Sequence, residues 1–303
     1  MTSTPTRMPA SVAGPTSLTR SSLSVRRKFA DRASAVMMVF AFVLAIVPLG
    51  LVCFYVVSKG AGIISKDWFT EDIPRQVRRV GPGMAPAIIG TLVITGMAAL
   101  LAIPLGVLGA IYLNEYGKEK PLARVIRTMS DVMTGVPSIV MGLFIYVVWV
   151  TRTKEQSGFA GALALACLML PIVIRSTEEI LRLVPDELRQ GSLALGARRW
   201  RTTLTVVLPA ALSGIVSGAM LAIARAAGET APLIATIGIV YKVNASLSGP
   251  NTALPAQIFR NAQQPFPGGQ ARAWGAALTL VVIVLLFTLI ARLIASRFTI
   301  KER

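Results

Sequence analysis

Six long apolar runs dominate this chain of 303 residues, and each is close to the ~20 residues that a helix needs to cross a bilayer. The runs are continuous rather than alternating with period two, which argues against a closed barrel. They are Ala33 to Val57, Ala87 to Leu113, Val132 to Val150, Gly158 to Ile174, Val206 to Ala227, and Ala273 to Ile294. We therefore predict an all-α integral membrane protein with six transmembrane helices.

The composition supports this prediction and excludes several other classes of protein. Apolar residues make up 54% of the chain and charged residues only 15%. The formal charge of +17 comes from cations between the apolar runs, so it indicates membrane topology rather than nucleic-acid binding. Histidine is absent, which excludes histidine-based metal sites, proton relays and a Ser-His-Asp triad. We expect no bound metal and no nucleic acid.

The distribution of Lys and Arg predicts how the chain is placed in the plasma or inner membrane. Residues 1–32 are rich in Ser, Thr, Pro and Arg, which predicts a disordered, basic, cytoplasmic tail before a transmembrane domain at 33–303. Six spans put both termini on one side. Segments on the side of the tail carry about twice as many cations as the opposite segments, so both termini are predicted to be cytoplasmic.

The polar stretch between the fourth and fifth runs, 175–209, has the pattern of a short folded element. Pro185 suits a helix first turn, Asp186 and Glu187 suit the positive end of a helix, and Gly196 is placed to end it in the left-handed conformation. These signals predict a helix of about ten residues. It has apolar residues on one side and is surrounded by arginines, as a surface helix that docks on a partner requires: Leu188, Leu193, Leu195, Arg189, Arg198, Arg199 and Arg201.

This stretch, 188–196 followed by 206–209, resembles the signature loop of the permeases of binding-protein-dependent ABC importers. The family pattern is Glu-Ala-Ala, three residues, Gly, nine residues and Ile-x-Leu-Pro. Gly196 and Leu208-Pro209 match at this spacing, Val206 replaces Ile, and the opening triplet departs as Gln190-Gly191-Ser192.

The resemblance implies the fold of a type I ABC importer permease and a cytoplasmic coupling helix seated in a groove of a separate ATPase. The implied coupling residues are Glu187, Leu188, Arg189, Gln190, Gly191, Ser192, Gly196, Leu208 and Pro209. No nucleotide-binding loop of the Gly-x4-Gly-Lys-Ser/Thr type occurs in the sequence. We therefore expect no cofactor in this chain and ATP hydrolysis in the partner.

Charged residues near the end of the fifth run are the candidates for contact with a substrate. Arg225 and Glu229 lie four residues apart at membrane depth, where charges are costly and are expected to face the bundle interior. One interpretation is an ion pair that only fixes the helix orientation. The other is that Arg225 contacts an oxyanion with its planar guanidinium while Glu229 holds it in place. Pro232 is predicted to break the helix before a short re-entrant or gate-lining piece, Leu233 to Val240.

The third run is interrupted by Gly135-Val136-Pro137-Ser138, beside Asp131. This pattern predicts a kinked helix, either lining the pathway or serving only helix packing. Together with Thr230 and the two charges, Pro137 and Ser138 complete the predicted substrate pathway.

The segments 135–138 and 225–232 resemble those of the phosphate-specific permease pair of this family, and the chain is closer to the second member of the pair. The resemblance implies import of inorganic phosphate. It also implies four kinds of partner: a homologous permease subunit, an ATPase dimer, an external phosphate-binding protein and the membrane lipid around the bundle. The alternatives are a permease for another oxyanion, molybdate or sulfate, and a secondary anion transporter, although no inverted repeat or relay is visible. A membrane enzyme or scaffold fits the residues least.

Overall fold

The computed structural model describes residues 25–76, 78, 81, 83–118 and 120–297, and these contain helices but no strand. Among the described residues, those up to Phe54 and those from Tyr55 onward form two compact units. The first 24 residues of the predicted tail lie outside the described part. Residues 25–32, assigned to the same tail, belong instead to the first helix, α1, which spans Val25–Gly60. Lys and Arg are good helix formers, so the basic residues before the apolar run extend this helix.

Four further helices are long and apolar enough to cross a membrane, or make up most of a helical segment that is. They are α3 (Ala85–Ile111), α7 (Gly158–Leu183), α10 (Leu208–Ala227) and α13 (Pro267–Arg297). Several of these helices extend beyond the predicted apolar runs, among them α13, whose run was Ala273 to Ile294. α7 continues nine residues past Ile174, and the helical segment that contains α10 begins at Arg199 through a short helix, α9 (Arg199–Thr202), and a π-helical turn, Thr203–Val207.

The third predicted span, Val132 to Val150, is not one continuous helix. The chain forms α4 (Pro121–Gly135) and α5 (Ser138–Ile145), and α5 continues through a π-helical turn and α6 (Thr151–Thr153). The two parts are bent by 107°. Val136 is extended (φ −70°, ψ 128°) because a residue before proline avoids the helical conformation, and Pro137 then becomes the N-cap of α5. The expected kink is therefore a complete break, and the six predicted spans correspond to five helices plus this bent pair.

The remaining helices are short and lie at the two ends of the second unit. They are α2 (Lys66–Thr70), α8 (Asp186–Ala194), α11 (Ala231–Thr236) and α12 (Leu254–Ala262). α8 follows the carboxyl end of α7, while α11 and α12 lie toward its amino end, where the nitrogen of Gly158 donates to the oxygen of Gly249. The fold thus has a coupling end, which we define as α8 with the carboxyl ends of α3 and α7, and a far end opposite to it.

The core of the second unit lies between α3 and α7 and is rich in alanine. Ile94, Leu165 and Met169 are fully or almost fully buried there. A Cβ atom on Gly106 of α3 would lie 2.6 Å from Cγ1 of Val173 on α7, so this glycine permits the close approach of the two helices. Small residues at helix contacts are typical of membrane bundles, in which packing rather than water exclusion joins the helices.

Candidate functional site

The short helix predicted between the fourth and fifth runs is present as α8, and it ends in the predicted left-handed glycine. Pro185 is the N-cap, and Asp186 and Glu187 occupy the first turn. At the other end Gly196 has a φ of +83°. Its nitrogen donates to the oxygen of Leu193 at 2.9 Å, and the nitrogen of Ala197 donates to the oxygen of Ser192 at 3.2 Å. This pair of bonds is the Schellman arrangement, which satisfies carbonyls that would otherwise lack partners.

The sequence pattern predicted that Arg189 would be one of the charges facing outward around α8, but its side chain faces the protein. Its side chain is only 13% exposed. Nη1 donates to the oxygen of Val184 at 2.6 Å and to the Asp186 carboxylate at 3.0 Å. Nη2 donates to the oxygen of Leu181 at 2.7 Å and, like Nε, to Glu115 Oε1, at 3.1 and 3.3 Å respectively. The guanidinium thus satisfies the last carbonyls of α7 and holds a carboxylate at the end of α3.

The other predicted coupling residues form the outer surface of α8 and the start of α10. Exposed residues among them are Glu187, Leu188, Gln190, Gly191, Gly196 and Pro209. Ser192 is half-buried, with its Oγ 2.9 Å from Oγ1 of Thr202, and Leu208, the first residue of α10, is also half-buried. A cleft of about 650 Å³ lies beside α8, lined by Gln190, Leu193 and Arg199 among others. An exposed apolar and polar surface next to a cleft suits contact with another protein.

A buried charge cluster, which the sequence patterns did not reveal, lies at the same end. Glu178 of α7 is 1% exposed, and its Oε1 accepts from Arg127 Nε at 2.7 Å and from Arg182 Nη2 at 2.6 Å. Arg175 approaches its other oxygen at 4.0 Å and pairs with Asp131 at 2.7 Å. The apolar runs gave no sign of this cluster, because Glu178 was placed in a loop and its partner on α4 is 51 positions away in the sequence.

The predicted pathway charges lie at the end of α10, where the chain breaks at Gly228 to Thr230. The predicted helix break is present, but it lies before Pro232, which itself occupies the first turn of α11, where no backbone N–H donor is needed. Nε of Arg225 is 4.0 Å from Oε1 of Glu229, and the side chains are 68% and 22% exposed. This distance is the limit of an ion pair, so the two charges face each other without a tight hydrogen bond.

The structure brings the two interrupted segments together through α5 and α11. A Cβ atom on Gly142 of α5 would lie 2.5 Å from Cα of Pro232, so the backbones approach as closely as a glycine permits. Pro137 is exposed and Ser138 half-buried at the start of α5, and Thr230 is half-buried immediately before α11.

The backbone that follows α11 is satisfied by protein atoms. The oxygen of Thr236 accepts from the nitrogen of Ser157 at 3.0 Å, and the oxygen of Ile237 accepts from the nitrogen of Asn251 at 2.7 Å. Nε2 of Gln156 donates to the oxygen of Ala235 at 2.9 Å. Irregular backbone at membrane depth requires such cover. This part of the predicted re-entrant or gate-lining piece therefore packs against α5 and α7, and its role at a gate stays a prediction.

Comparison with known proteins agrees with this geometry. Residues 102–300 match the model of the family described as binding-protein-dependent transport system inner membrane component. This chain belongs to that family. The match includes both the helix α8 and the break between α10 and α11.

Curated relatives cover almost the whole chain. The phosphate transport system permease protein PstA 1 of Mycobacterium tuberculosis is 41% identical over 93% of this chain and 92% of its own length. The permease PstA of Mycobacterium leprae is 43% identical over 91% and 92%, and that of Yersinia pestis 42% identical over 81% and 83%. The prediction that the chain is a permease subunit is confirmed.

Solved structures share the fold of this inner membrane component. A chain of a bacterial alginate ABC transporter, solved with a periplasmic protein bound to an alginate pentasaccharide, aligns with a TM-score of 0.62 at 14% identity. That alignment covers 90% of this chain and 97% of the other. A chain of the inward-facing MetNI methionine ABC transporter aligns with a TM-score of 0.55 at 19% identity, over 70% and 92%. The predicted all-α permease fold of an ABC importer is therefore confirmed.

Proposed function

We propose that this inner membrane component forms one half of the translocation pathway of an ATP-driven importer of inorganic phosphate. The observation that carries the proposal is the identity of 41–43% to three phosphate transport permeases, over 81–93% of this chain. The relatives favour phosphate over the alternatives of molybdate, sulfate and secondary anion transport.

The partners follow from what this chain has and from what its family requires. A homologous permease subunit would complete the pathway, an ATPase dimer would bind α8, and an external phosphate-binding protein would deliver the anion at the far end. The exposed surface of α8 and the cleft beside it support the ATPase contact. In this arrangement α8 and both termini face the cytoplasm, as the distribution of Lys and Arg favours.

The geometry at Arg225 supports a role in binding the anion. Its guanidinium is more than two-thirds exposed within this chain, and its nearest carboxylate is 4.0 Å away. An arginine in this state has donors free for an oxyanion, while Glu229 nearby keeps the anion from being held permanently. ATP binding would close the ATPase dimer and turn the pathway outward, so that the energy comes from the partner.

The test is uptake of radiolabelled phosphate by cells whose own phosphate permease of this kind has been replaced by this chain. We expect ATP-dependent uptake that excess sulfate or molybdate does not compete away. Arg225→Ala should lower uptake by roughly a hundredfold, because a lost charge-assisted contact to a desolvated anion costs several kcal/mol. The matched control is Arg152→Ala, which removes an exposed arginine from α6.

Two results would contradict the proposal. Competition by sulfate or molybdate at equimolar concentration would assign the chain to another oxyanion. Phosphate uptake by the purified chain alone in liposomes, without ATP and partners, would assign it to secondary transport. Normal uptake by the Arg225→Ala variant, with its level in the membrane unchanged, would remove Arg225 from the pathway.

A further inference from the structure

We propose that Arg127 and Arg189 are positioning residues that connect the coupling helix to the broken third span. Arg189 forms the joint between α8 and α7, and Arg127 forms the joint between α7 and α4. This inference rests on the proposed function, since it concerns how a push on α8 reaches the substrate pathway. Neither residue touches the substrate in this proposal. Both act through the helices that they hold.

The first joint fixes α8 to two long helices at once. Arg189 donates to the oxygens of Leu181 and Val184, at the carboxyl end of α7, and to Glu115, in the π-helical turn that continues α3. These bonds use all three nitrogens of one guanidinium and include a carboxylate that is 12% exposed. A displacement of α8 therefore cannot be absorbed in the loop before it and is passed to the ends of α3 and α7.

The second joint fixes the same two helix ends to α4. Nη2 of Arg127 donates to the oxygen of Leu113 at 2.9 Å, and Nη1 donates to the oxygen of Lys118 at 3.0 Å. Its Nε donates to Glu178, which is buried in α7. Arg189 of α8 and Arg127 of α4 thus both bind the carboxyl-terminal parts of α3 and α7.

Beyond α4 the connection continues without a flexible loop. α4 ends at Gly135, Val136 and Pro137 form the break, and α5 begins at Ser138. α5 then meets α11 where Gly142 contacts the backbone of Pro232. The segment that carries Arg225 and Glu229 ends immediately before α11, so movement of α4 against α7 changes the position of the pathway segments.

Only arginine suits these two positions. Each side chain must donate to a carboxylate and to two backbone oxygens in different directions, which a planar fork of five N–H groups can do. A lysine keeps the charge but presents a single ammonium group at the end of a flexible chain. Substitution by lysine should therefore keep the folded protein and weaken the connection.

The test uses the complete transporter, with the partner permease, the ATPase and the binding protein, reconstituted in proteoliposomes. We measure ATP hydrolysis and phosphate uptake in the same sample for Arg127→Lys, Arg189→Lys and Glu178→Gln. The expected result is hydrolysis near the wild-type rate with phosphate uptake per ATP lowered about tenfold, within the usual range of coupling between two sites. Arg124→Ala is the matched control, since Arg124 lies on α4 with an exposed side chain, and its ratio should be unchanged.

The double variant Arg127→Lys/Arg189→Lys tests whether the two joints lie in series. Once one joint has failed, loss of the second adds little, so the double variant should lose no more than the worse single variant. Losses that multiply would show two independent effects and would overturn the series arrangement.

Two further outcomes would overturn the inference about the two joints, and a third would overturn the proposed function. Unchanged uptake per ATP in both lysine variants overturns the inference, even if alanine variants at the same positions fail to assemble. Loss of the ATPase from the Arg189→Lys complex would also overturn it, because Arg189 would then serve ATPase binding directly. If the wild-type transporter hydrolyses ATP but imports no phosphate, the proposed function fails instead, and the stimulation of hydrolysis by the binding protein becomes the readout for the joints.

Discussion

The coupling end and the break between α10 and α11 each have an arginine at their centre, in opposite surroundings. Arg189 is 13% exposed and donates to two carboxylates and two backbone oxygens. Arg225 is 68% exposed and has one carboxylate at 4.0 Å. The first guanidinium has its hydrogen-bonding capacity filled from within the chain, whereas the second keeps most of it for something outside.

This difference separates two tasks that the sequence alone presents alike. A side chain whose donors are all occupied fixes the geometry of its neighbours, since moving it leaves buried acceptors unpaired. A side chain with free donors can exchange partners at little cost. This contrast fits the two proposed roles, force transmission at the coupling end and transient contact with an anion at the break.

The largest expected effect is on the free energy of unfolding, and it compares substitutions of Arg189 and Arg225. Arg189→Ala should destabilise the folded protein by about 3 kcal/mol, because it leaves a partly buried carboxylate without its partner. Arg225→Ala should change stability by less than about 0.5 kcal/mol, as expected for an exposed side chain. Thermal unfolding of the purified protein in detergent measures both. Equal losses in the two variants would erase the distinction between the two ends.

The next effect concerns how the break region is held, since it relies on close packing rather than on charge. In Gly142→Ala the new Cβ would lie 2.5 Å from the backbone of Pro232, which should cost about 2 kcal/mol through overpacking and lower uptake. Gly135→Ala is the control, because nothing lies within 4 Å of a Cβ at that position. Uptake and thermal unfolding should change in the first variant only. Normal uptake by Gly142→Ala would show that contact between α5 and α11 is dispensable.

The smallest effect returns to the coupling end and isolates backbone conformation. Gly196 and Gly191 both have open space around a built Cβ, but only Gly196 has a positive φ, of +83°. Gly196→Ala should cost roughly 1 kcal/mol because of the left-handed conformation. Gly191→Ala should stabilise by about 0.5 kcal/mol, as alanine does within a helix. The signs of the two changes, read from thermal unfolding, decide the result, and the same sign in both would contradict the Schellman cap. A bulkier Gly196→Val should also abolish uptake while the protein stays in the membrane.

The sequence predicted the fold well where apolar runs and caps carry the signal. Five of the six predicted spans, the short helix α8 and its left-handed glycine all follow from side chains close together in the sequence, and each is present. The extension of α7 to Leu183 could not be predicted from hydropathy, because Arg175, Glu178 and Arg182 look like loop residues until their mutual pairing is known. The 107° break was underestimated for a related reason, since proline in an apolar run is compatible with either a kink or a break.

The structure shows where the predicted site residues lie, their roles stay predictions, and the directions of their side chains could not all be predicted from the sequence. Arg189 was expected to face a partner, yet its acceptors come from α3 and α7, and pairing over 74 positions leaves no trace in one sequence. The same holds for Arg127 and Glu178. Arg225 and Glu229 were recognised because both charges lie within one turn of one helix, where spacing alone gives their proximity.

The close contact of α3 with α7, permitted by Gly106 opposite Val173, has a kinematic consequence. Two helices joined this tightly along their length, with their carboxyl ends held by arginines, are expected to turn as one rigid body. Any change between inward and outward access must then be absorbed elsewhere, and large dihedral changes are confined to a few residues at the ends of elements. Gly228 to Thr230, between α10 and α11, meets that description, so we expect this short stretch to be a hinge of the alternating-access cycle.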